Sequence, residues 1–328
     1  MILVTGGSGY IGSHLVSRLV ADGERVRVFG RCSRKHAAAM TALRDKVEVH
    51  EGDLRDELAV SRAIADVTLV YHLGAISTSA ADACILREMV DVNVSGTLNV
   101  LIAAHEAGVH RVVFASSSAV YGDSAVSPKS EETPTDPKSP YGMSKLTGEQ
   151  LCGFFHRVQG LETVVLRSFN VYGPDQPADT RFPLVIPKFL HALRNGEPIT
   201  LHGGGHQTRD FVYIDDVVTA MVRAGHAPAA GGFTLNVGSG QPTSIRAVLA
   251  QMAQIVRVAP VVRDEPARPG DILESVADIA AARGVLGYEP SVPFDEGLRR
   301  SIEPLSAPVY VGLATGSALN QHAWGGAS

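Results

Sequence analysis

Ile2-Leu3-Val4-Thr5-Gly6-Gly7-Ser8-Gly9-Tyr10-Ile11-Gly12 is the stretch around which the rest of the chain is arranged. A run of buried-strand length leads straight into a glycine-rich turn, and Leu15, Leu19 and Val20 then recur at helical spacing. Gly7, Gly9 and Gly12 satisfy G-x-G-x-x-G, and Gly6, Gly9 and Gly12 satisfy the spacing G-x-x-G-x-x-G. Strand, glycine turn and helix in that order make a phosphate cradle. The glycines let the backbone come close to a pyrophosphate, whose charge rests on the helix N-terminus. The stretch predicts a dinucleotide-binding unit at the head of a parallel sheet.

Further strand-like runs follow at residues 25–29, 47–50, 68–72, 111–115 and 163–167, separated by helical patterns, notably one over about 85–107. Such alternation predicts a parallel α/β sheet with helices on both faces, its ligands lying beyond the carboxyl ends of the strands. Past about residue 170 the alternation weakens. Residues 182–193 and 214–223 read as helical, 198–201 as extended, and 234–237 as a strand that rejoins the main sheet. The expected organisation is a dinucleotide-binding domain over 1–169 with a returning segment near 206–240. A smaller mixed α/β substrate lobe over 170–328 interleaves with it. The Gly-, Ala- and Ser-rich tail, 305–328, reads as loosely held.

The 328 residues are 45% hydrophobic and 19% charged, as in an ordinary globular protein, and the net charge of -5 leaves no general basic field for nucleic acid. No apolar run is long enough to cross a bilayer, and no secretory signal is legible at the start. Cys32, Cys84 and Cys152 are odd in number and far apart, which fits reduced thiols in the cytoplasm. The 12 histidines form no H-E-x-x-H, and Gly203-Gly204-Gly205 separates His202 from His206, so no metal site is expected.

The chemistry is written in Ser139-Pro140-Tyr141-Gly142-Met143-Ser144-Lys145. Ser139 caps a helix, Pro140 suits its first turn, and Leu151, Phe154, Phe155 and Val158 continue it at helical spacing. Tyr141 and Lys145, four apart, share a face. A free tyrosine, with a pKa near ~10, is a poor base. The ammonium and the positive helix end are expected to lower that value enough for proton transfer. Alone, Y-x-x-x-K also describes a half-buried tyrosine beside a solvated lysine. The glycine stretch, together with Ser116-Ser117-Ser118 at the end of the strand at 111–115, tips the reading towards a site. At the end of the second strand, where NAD enzymes commonly carry an acid, stand Gly30-Arg31, with Arg34 and Lys35 close behind. Arg31 suits the 2′-phosphate of NADP or a solvated loop equally, and NAD against NADP stays open.

Thr5–Gly12, Ser116–Gly122 and Tyr141–Lys145 together resemble the extended short-chain dehydrogenase/reductases. The most similar branch is the NAD-dependent sugar-nucleotide epimerases and dehydratases, typified by the UDP-glucose (UDP-galactose) 4-epimerases. Asn93–Asn99, Arg167–Pro174, Gln207–Asp216 and Arg268–Asp271 continue the match, which runs from residue 1 to about 302. The resemblance implies a Rossmann-type doubly wound sheet. Counting back four from Tyr121, it places the catalytic hydroxyl on Ser117, with Tyr141 taking the sugar O4 proton and Lys145 holding the nicotinamide ribose. It assigns the cofactor to Gly6, Gly9, Tyr10, Ile11, Gly12, Arg31, Asp53 and Leu54 besides Tyr141 and Lys145, with Asp53 at the adenine. Asn170, Arg209 and Arg268 stand where the family supplies donors to the nucleotide-sugar diphosphate.

Dehydratases of this family follow the catalytic hydroxyl with Asp-Glu, and decarboxylases carry a glutamate at the second position. Ser118 and Ala119 occupy those positions here, which disfavours both reactions. What remains is C4 oxidation, rotation of the keto sugar and hydride return: a 4-epimerase of UDP-hexoses, UDP-N-acetylhexosamines or UDP-hexuronates, with NAD expected to copurify. Ser275 matches a pocket position that is tyrosine in epimerases restricted to unacetylated hexoses, so room for an N-acetyl group is expected. The arginine looked for in uronate epimerases is missing from Asp175-Gln176-Pro177. Two alternatives are an NAD(P)H-dependent 4-ketoreductase, and a nonenzymatic nicotinamide sensor, which would tend to lose the tyrosine and lysine retained here. The resemblance further implies a homodimer pairing the helices near 85–107 and 140–158.

Overall fold

A computed structural model describes residues 1–31, 43, 45–78, 83–177, 184–267 and 272–306. The first strands are β1 (Ile2–Thr5), β2 (Val26–Gly30), β3 (Glu48–Glu51), β4 (Leu69–His72), β5 (Arg111–Ser117) and β6 (Glu162–Ser168). After them come β7 (Asn170–Tyr172), β8 (Ile199–His202), β9 (Thr208–Tyr213), β10 (Thr234–Val237), β11 (Pro242–Ser244), β12 (Val262–Glu265) and β13 (Glu274–Ser275). The helices that position the site are α1 (Tyr10–Ala21), α2 (Glu57–Ile64), α3 (Ala83–Met89), α4 (Gly96–Glu106), α5 (Pro140–Gln159), α6 (Val185–Asn195) and α7 (Ile214–His226).

Seven strands form one parallel sheet in the order β10-β6-β5-β4-β1-β2-β3. Strand side chains alternate between faces, and the two hydrophobic cores follow that period. Ile2, Val4, Tyr71 and Val113 enter one core, whereas Leu3, Val70, Val112 and Phe114 enter the other. Both faces are therefore covered, which is why these strands read as unbroken apolar runs. α7 packs beside α1 on one face, and α4 lies against α2 and α5 on the other.

The chain leaves β1 for β2 on one side and later returns to β4 on the other, so a crevice opens beyond β1 and β4. The glycine turn lines this crevice. A Cβ on Gly12 would sit 2.2 Å from the Gly6 carbonyl oxygen, so only glycine lets α1 start this close beneath the turn. Thr234–Val237 does rejoin the main sheet, as β10 beside β6.

One segment departs from the sequence reading. The pattern over 85–107 is not one α-helix: a π-helical turn, Val90–Ser95, separates α3 from α4. It contains Asn93, whose amide holds both backbone groups of Ile76, accepting from the N–H at 2.7 Å and donating to the carbonyl at 2.9 Å. Helical periodicity cannot reveal such a turn, because a distant loop supplies the reason for it. The helix read over 182–193 is α6, Val185–Asn195.

The C-terminal lobe is built on β9, which pairs with β7 and β13 in parallel and with β11 antiparallel, while β8 and β12 form a separate parallel pair. The fully buried Asp210 ties β9 down. It accepts from Ser239 N–H and O–H, Gly240 N–H and Ala277 N–H at 2.6–3.1 Å. Arg268 and the tail from 307 onward lie outside the described residues. Among the described residues no helix is long and apolar enough to cross a membrane.

Candidate active site

Ser139 caps α5, accepting from Gly142 N–H at 3.0 Å, and Pro140 occupies the first turn. The capped start projects Tyr141 towards the end of β5, where Ser117 accepts from Ala119 N–H at 3.2 Å and caps a short 3₁₀ turn, Ser118–Tyr121. Ser117 and Tyr141 line the wall of one cavity, their hydroxyls near enough for Ser117 to favour the phenolate. One turn along α5, Lys145 is buried, and its Nζ donates to the Ala115 carbonyl at 2.7 Å. A Cβ on Gly148 would stand 2.4 Å from the Phe114 ring, so a glycine is what brings α5 this near to β5.

The ionisation of this pair differs from the sequence expectation. Burial pushes the Tyr141 phenol up to about 12, against the pull of the Ser117 hydroxyl, instead of lowering it. Lys145 does not offset that burial. Its Nζ is engaged by the β5 carbonyl and lies 5.7 Å from the Tyr141 ring centroid. Burial holds Lys145 itself down to about 8, with Cys152 and Glu149 opposing. At neutral pH the protein alone thus keeps the proton on the tyrosine.

Two neighbouring cavities meet the crevice. One, of about 270 Å³, is lined by Gly6, Gly9, Arg31, Asp53 and Leu54. The other, of about 480 Å³, is lined by Tyr10, Ile11, Ser117, Tyr141, Asn170, Arg209 and Ser275. A third, of about 320 Å³, shares Asn170, Val171, Gln176, Leu184 and Arg209 with the second, so the two form one trough. Gly12 packs beneath the glycine turn rather than lining a cavity, and Lys145 lies behind Tyr141. Asn170 donates to the Asp210 carbonyl at 2.9 Å, and Arg209 Nη1 donates to the Thr208 and Ile272 carbonyls. Asp53 is gripped by Arg55 at 2.9 and 2.7 Å, and that hydrogen bonding draws its carboxyl down to about 2. Arg31 is exposed at the rim, 3.8 Å from Glu88. The crevice fits a dinucleotide, because the cradle a Cβ would fill at Gly12 lies between the 270 Å³ and 480 Å³ cavities.

Several supporting groups escaped the reading of single motifs. Thr97 Oγ1 spends its proton on the Asn93 carbonyl at 2.6 Å, so it must accept from His72 Nε2 at 2.9 Å. His72 Nδ1 is then bare and accepts from Thr5 Oγ1 at 2.7 Å, while Thr5 Oγ1 accepts from Gly74 N–H at 3.1 Å. Burial pushes His72 down to about 3, so the imidazole is neutral, as this chain of bonds requires. Asn93 also donates to Ser144 Oγ at 3.0 Å, joining the loop after β4 to α5. The only sequence signal for these roles was the Asn93–Asn99 motif itself.

A model of the NAD dependent epimerase/dehydratase family matches residues 2–238. The chain is 37% identical over 314 residues to a UDP-glucose 4-epimerase of Mycolicibacterium smegmatis, covering 92% of this chain and 97% of that protein. Its fold superposes on the UDP-glucose 4-epimerase of Thermotoga maritima, solved with UDP-glucose, with a TM-score of 0.85 and 32% identity over 93% of this chain and 98% of that one. The UDP-glucuronic acid 4-epimerase of Bacillus cereus, solved with UDP-glucuronic acid and NAD, gives a TM-score of 0.84 and 29% identity over 92% and 97% of the two chains. The glycine cradle, the Ser-Tyr-Lys arrangement and these matches along nearly the whole length have one conclusion: the chain belongs to the NAD-dependent epimerase/dehydratase family.

Proposed function

We propose that the protein is an NAD-dependent UDP-sugar 4-epimerase working by transient oxidation at C4. The observation that carries this reading is Ser117 and Tyr141 together in the wall of a 480 Å³ cavity, with a dinucleotide cradle on one side and a second cavity on the other. Gly6, Gly9, Gly12, Asp53 and Leu54 hold the adenosine and phosphate end of NAD, and Lys145 its nicotinamide ribose. Bound there, NAD would supply the hydride acceptor, its reduced form the donor, and the positive charge of the oxidised ring. Tyr141 would take the O4 proton during oxidation at C4 and give it back during the reduction that completes epimerisation. Ser117 orients O4 through its hydroxyl. Ser118 and Ala119 offer no acid–base pair for expelling a C6 hydroxyl, so the keto sugar turns over instead of dehydrating.

Asn170 and Arg209, where the two cavities join, hold the diphosphate, and Arg268 matches them by motif. The 320 Å³ cavity takes the nucleoside. Ser275, a small residue in the sugar wall, leaves room for an N-acetyl group. Residues 1–169, with a returning segment near 206–240, serve the cofactor, and the later residues mainly the substrate. Exposed Met143, Phe154 and Val158 on α5, with Ile102 on α4, support a homodimer through these helices. The odd number of cysteines, far apart in the sequence, supports a cytoplasmic setting.

Incubation with UDP-glucose, UDP-N-acetylglucosamine and UDP-glucuronate, without added cofactor, tests the reading. Formation of an epimer from at least one of them is expected. Oxidation of added NADPH by a UDP-4-keto sugar, with no epimer formed from the three alcohols, would instead favour a ketoreductase, which the acid-free Gly30-Arg31 at the end of β2 keeps in view. No reaction under either condition would overturn the enzymatic assignment.

A further inference from the structure

Behind Ser117 and Lys145 lies a buried polar cluster that touches neither the cofactor cradle nor the sugar cavity. Ser116 Oγ donates to Glu149 Oε1 at 2.5 Å. Arg167 grips the same carboxylate from β6, with Nε at 3.0 Å from Oε1 and Nη2 at 2.7 Å from Oε2. Its remaining Nη1 donates to the Tyr121 hydroxyl at 3.0 Å. Ser116, Glu149 and Arg167 are all buried, at 5%, 8% and 7% exposure. Ser116 and the Arg167 fork, sharing one carboxylate, thus join the end of β5, the middle of α5 and β6, immediately behind Ser117 and Tyr141.

We propose that Ser116, Glu149 and Arg167 are positioning residues, which lock β5 against α5 so that Ser117 and Tyr141 meet, and which set the charge facing Lys145. The proposal rests on the epimerase reading for its kinetic consequences but not for its cofactor consequences. The groups facing Lys145 can be named from each element around it. From α5 they are Tyr141, Glu149 and Cys152, from β5 the Ala115 carbonyl and the Phe114 ring, and from β4 the neutral His72. Burial pushes the Cys152 thiol well above its usual range, so it carries no charge at neutral pH. Glu149 is then the anion among these described groups. Its carboxylate favours the ammonium that burial disfavours, and Arg167 keeps that carboxylate aimed.

The sign follows directly. Without the Glu149 charge, Lys145 gives up its proton at a lower pH, and whatever needs the ammonium is lost earlier as pH rises. Ser116→Ala removes one bond and little volume. It should lower kcat about tenfold while KM, NAD content and thermal midpoint stay near wild type, the pattern of a mispositioned catalytic group. Ser116→Thr, which keeps the hydroxyl on a strand-compatible side chain, should restore most of that loss. Glu149→Gln should move the basic limb of kcat, and of NAD retention after gel filtration, down by about one pH unit. That variant leaves Arg167 buried and unpaired and is prone to unfold. Glu149→Gln/Arg167→Met removes both charges, and its limb should move in the same direction.

A Ser116→Ala enzyme with wild-type kcat, or one whose kcat falls only in step with NAD content, would overturn the positioning role. A basic limb that stays in place in the folded charge variants would overturn the electrostatic one. If wild-type protein acts on no UDP-sugar, the epimerase reading fails by itself, and the pH dependence of NAD retention still decides the charge arrangement.

Discussion

Tyr141 and Lys145 hold their protons on terms set by burial. The phenol is pushed up to about 12 and the ammonium down to about 8, so in the protein alone neither is poised for catalysis by its neighbour. Ligand charge must supply the difference. Loading the protein with NAD should lower the pH at which a phenolate absorption appears in the ultraviolet difference spectrum of wild type against Tyr141→Phe. A phenolate transition unmoved by NAD would remove Tyr141 from the role of base. Tyr141→Phe itself should retain NAD and lose about 10²–10⁴-fold in kcat. For Lys145, whose pKa is lowered, the ammonium is present below about 8 and disappears as pH rises through that value. Activity should therefore decline across that window, and Lys145→Arg, which stays charged, should remove the decline while lowering the rate. At the sugar wall, Ser275→Tyr should reduce turnover of N-acetylhexosamines more than of hexoses. Equal losses, compared as kcat/KM, would reject the pocket assignment.

Elements, rather than single residues, create the cradle and hold α5 in place. Gly12→Ala would put a Cβ 2.2 Å from the Gly6 carbonyl and force α1 off the turn. A stability loss of about 1–3 kcal/mol with depleted NAD is expected, read from denaturant titration and from the nicotinamide released on denaturation. The π-turn Val90–Ser95 aims Asn93 at Ile76 and Ser144 together. Asn93→Leu keeps the volume but strands both Ile76 backbone groups, at a cost of about 1–3 kcal/mol for each group left buried and unpaired. A urea midpoint equal to wild type would show that water replaces the amide. These elements differ in legibility. The cradle is local, strand to turn to helix within a few residues, so its order in the chain is enough to recognise it. The π-turn answers to a loop and a helix far away in sequence, and nothing in its own periodicity announces it.

For the whole molecule, the sheet order β10-β6-β5-β4-β1-β2-β3 brings the ends of β1, β4 and β5 to one edge. The C-terminal lobe, through β7, β9 and β13, adds Asn170, Arg209 and Ser275 to the cavity that Tyr141 lines. The apolar side chains left exposed on α5 fit burial against a second copy. Phe154→Asp/Val158→Asp should yield a monomer by sedimentation velocity if the homodimer forms through this face, and an unchanged mass would exclude that interface.

What the amino-acid order determined alone is what depends on neighbours in the chain. That covers the alternation that makes the sheet, the glycine turn, the capped helix bearing Tyr141 and Lys145, and the family to which these motifs belong. The tertiary structure alone decided what depends on burial and on distant partners. Desolvation reverses the expected shift of Tyr141, Glu149 comes to face Lys145 between Ser116 and Arg167, and His72 is held neutral between two threonines. Proton affinities follow the dielectric and the charges within a few ångströms, and the residues that meet there come from four strands and two helices.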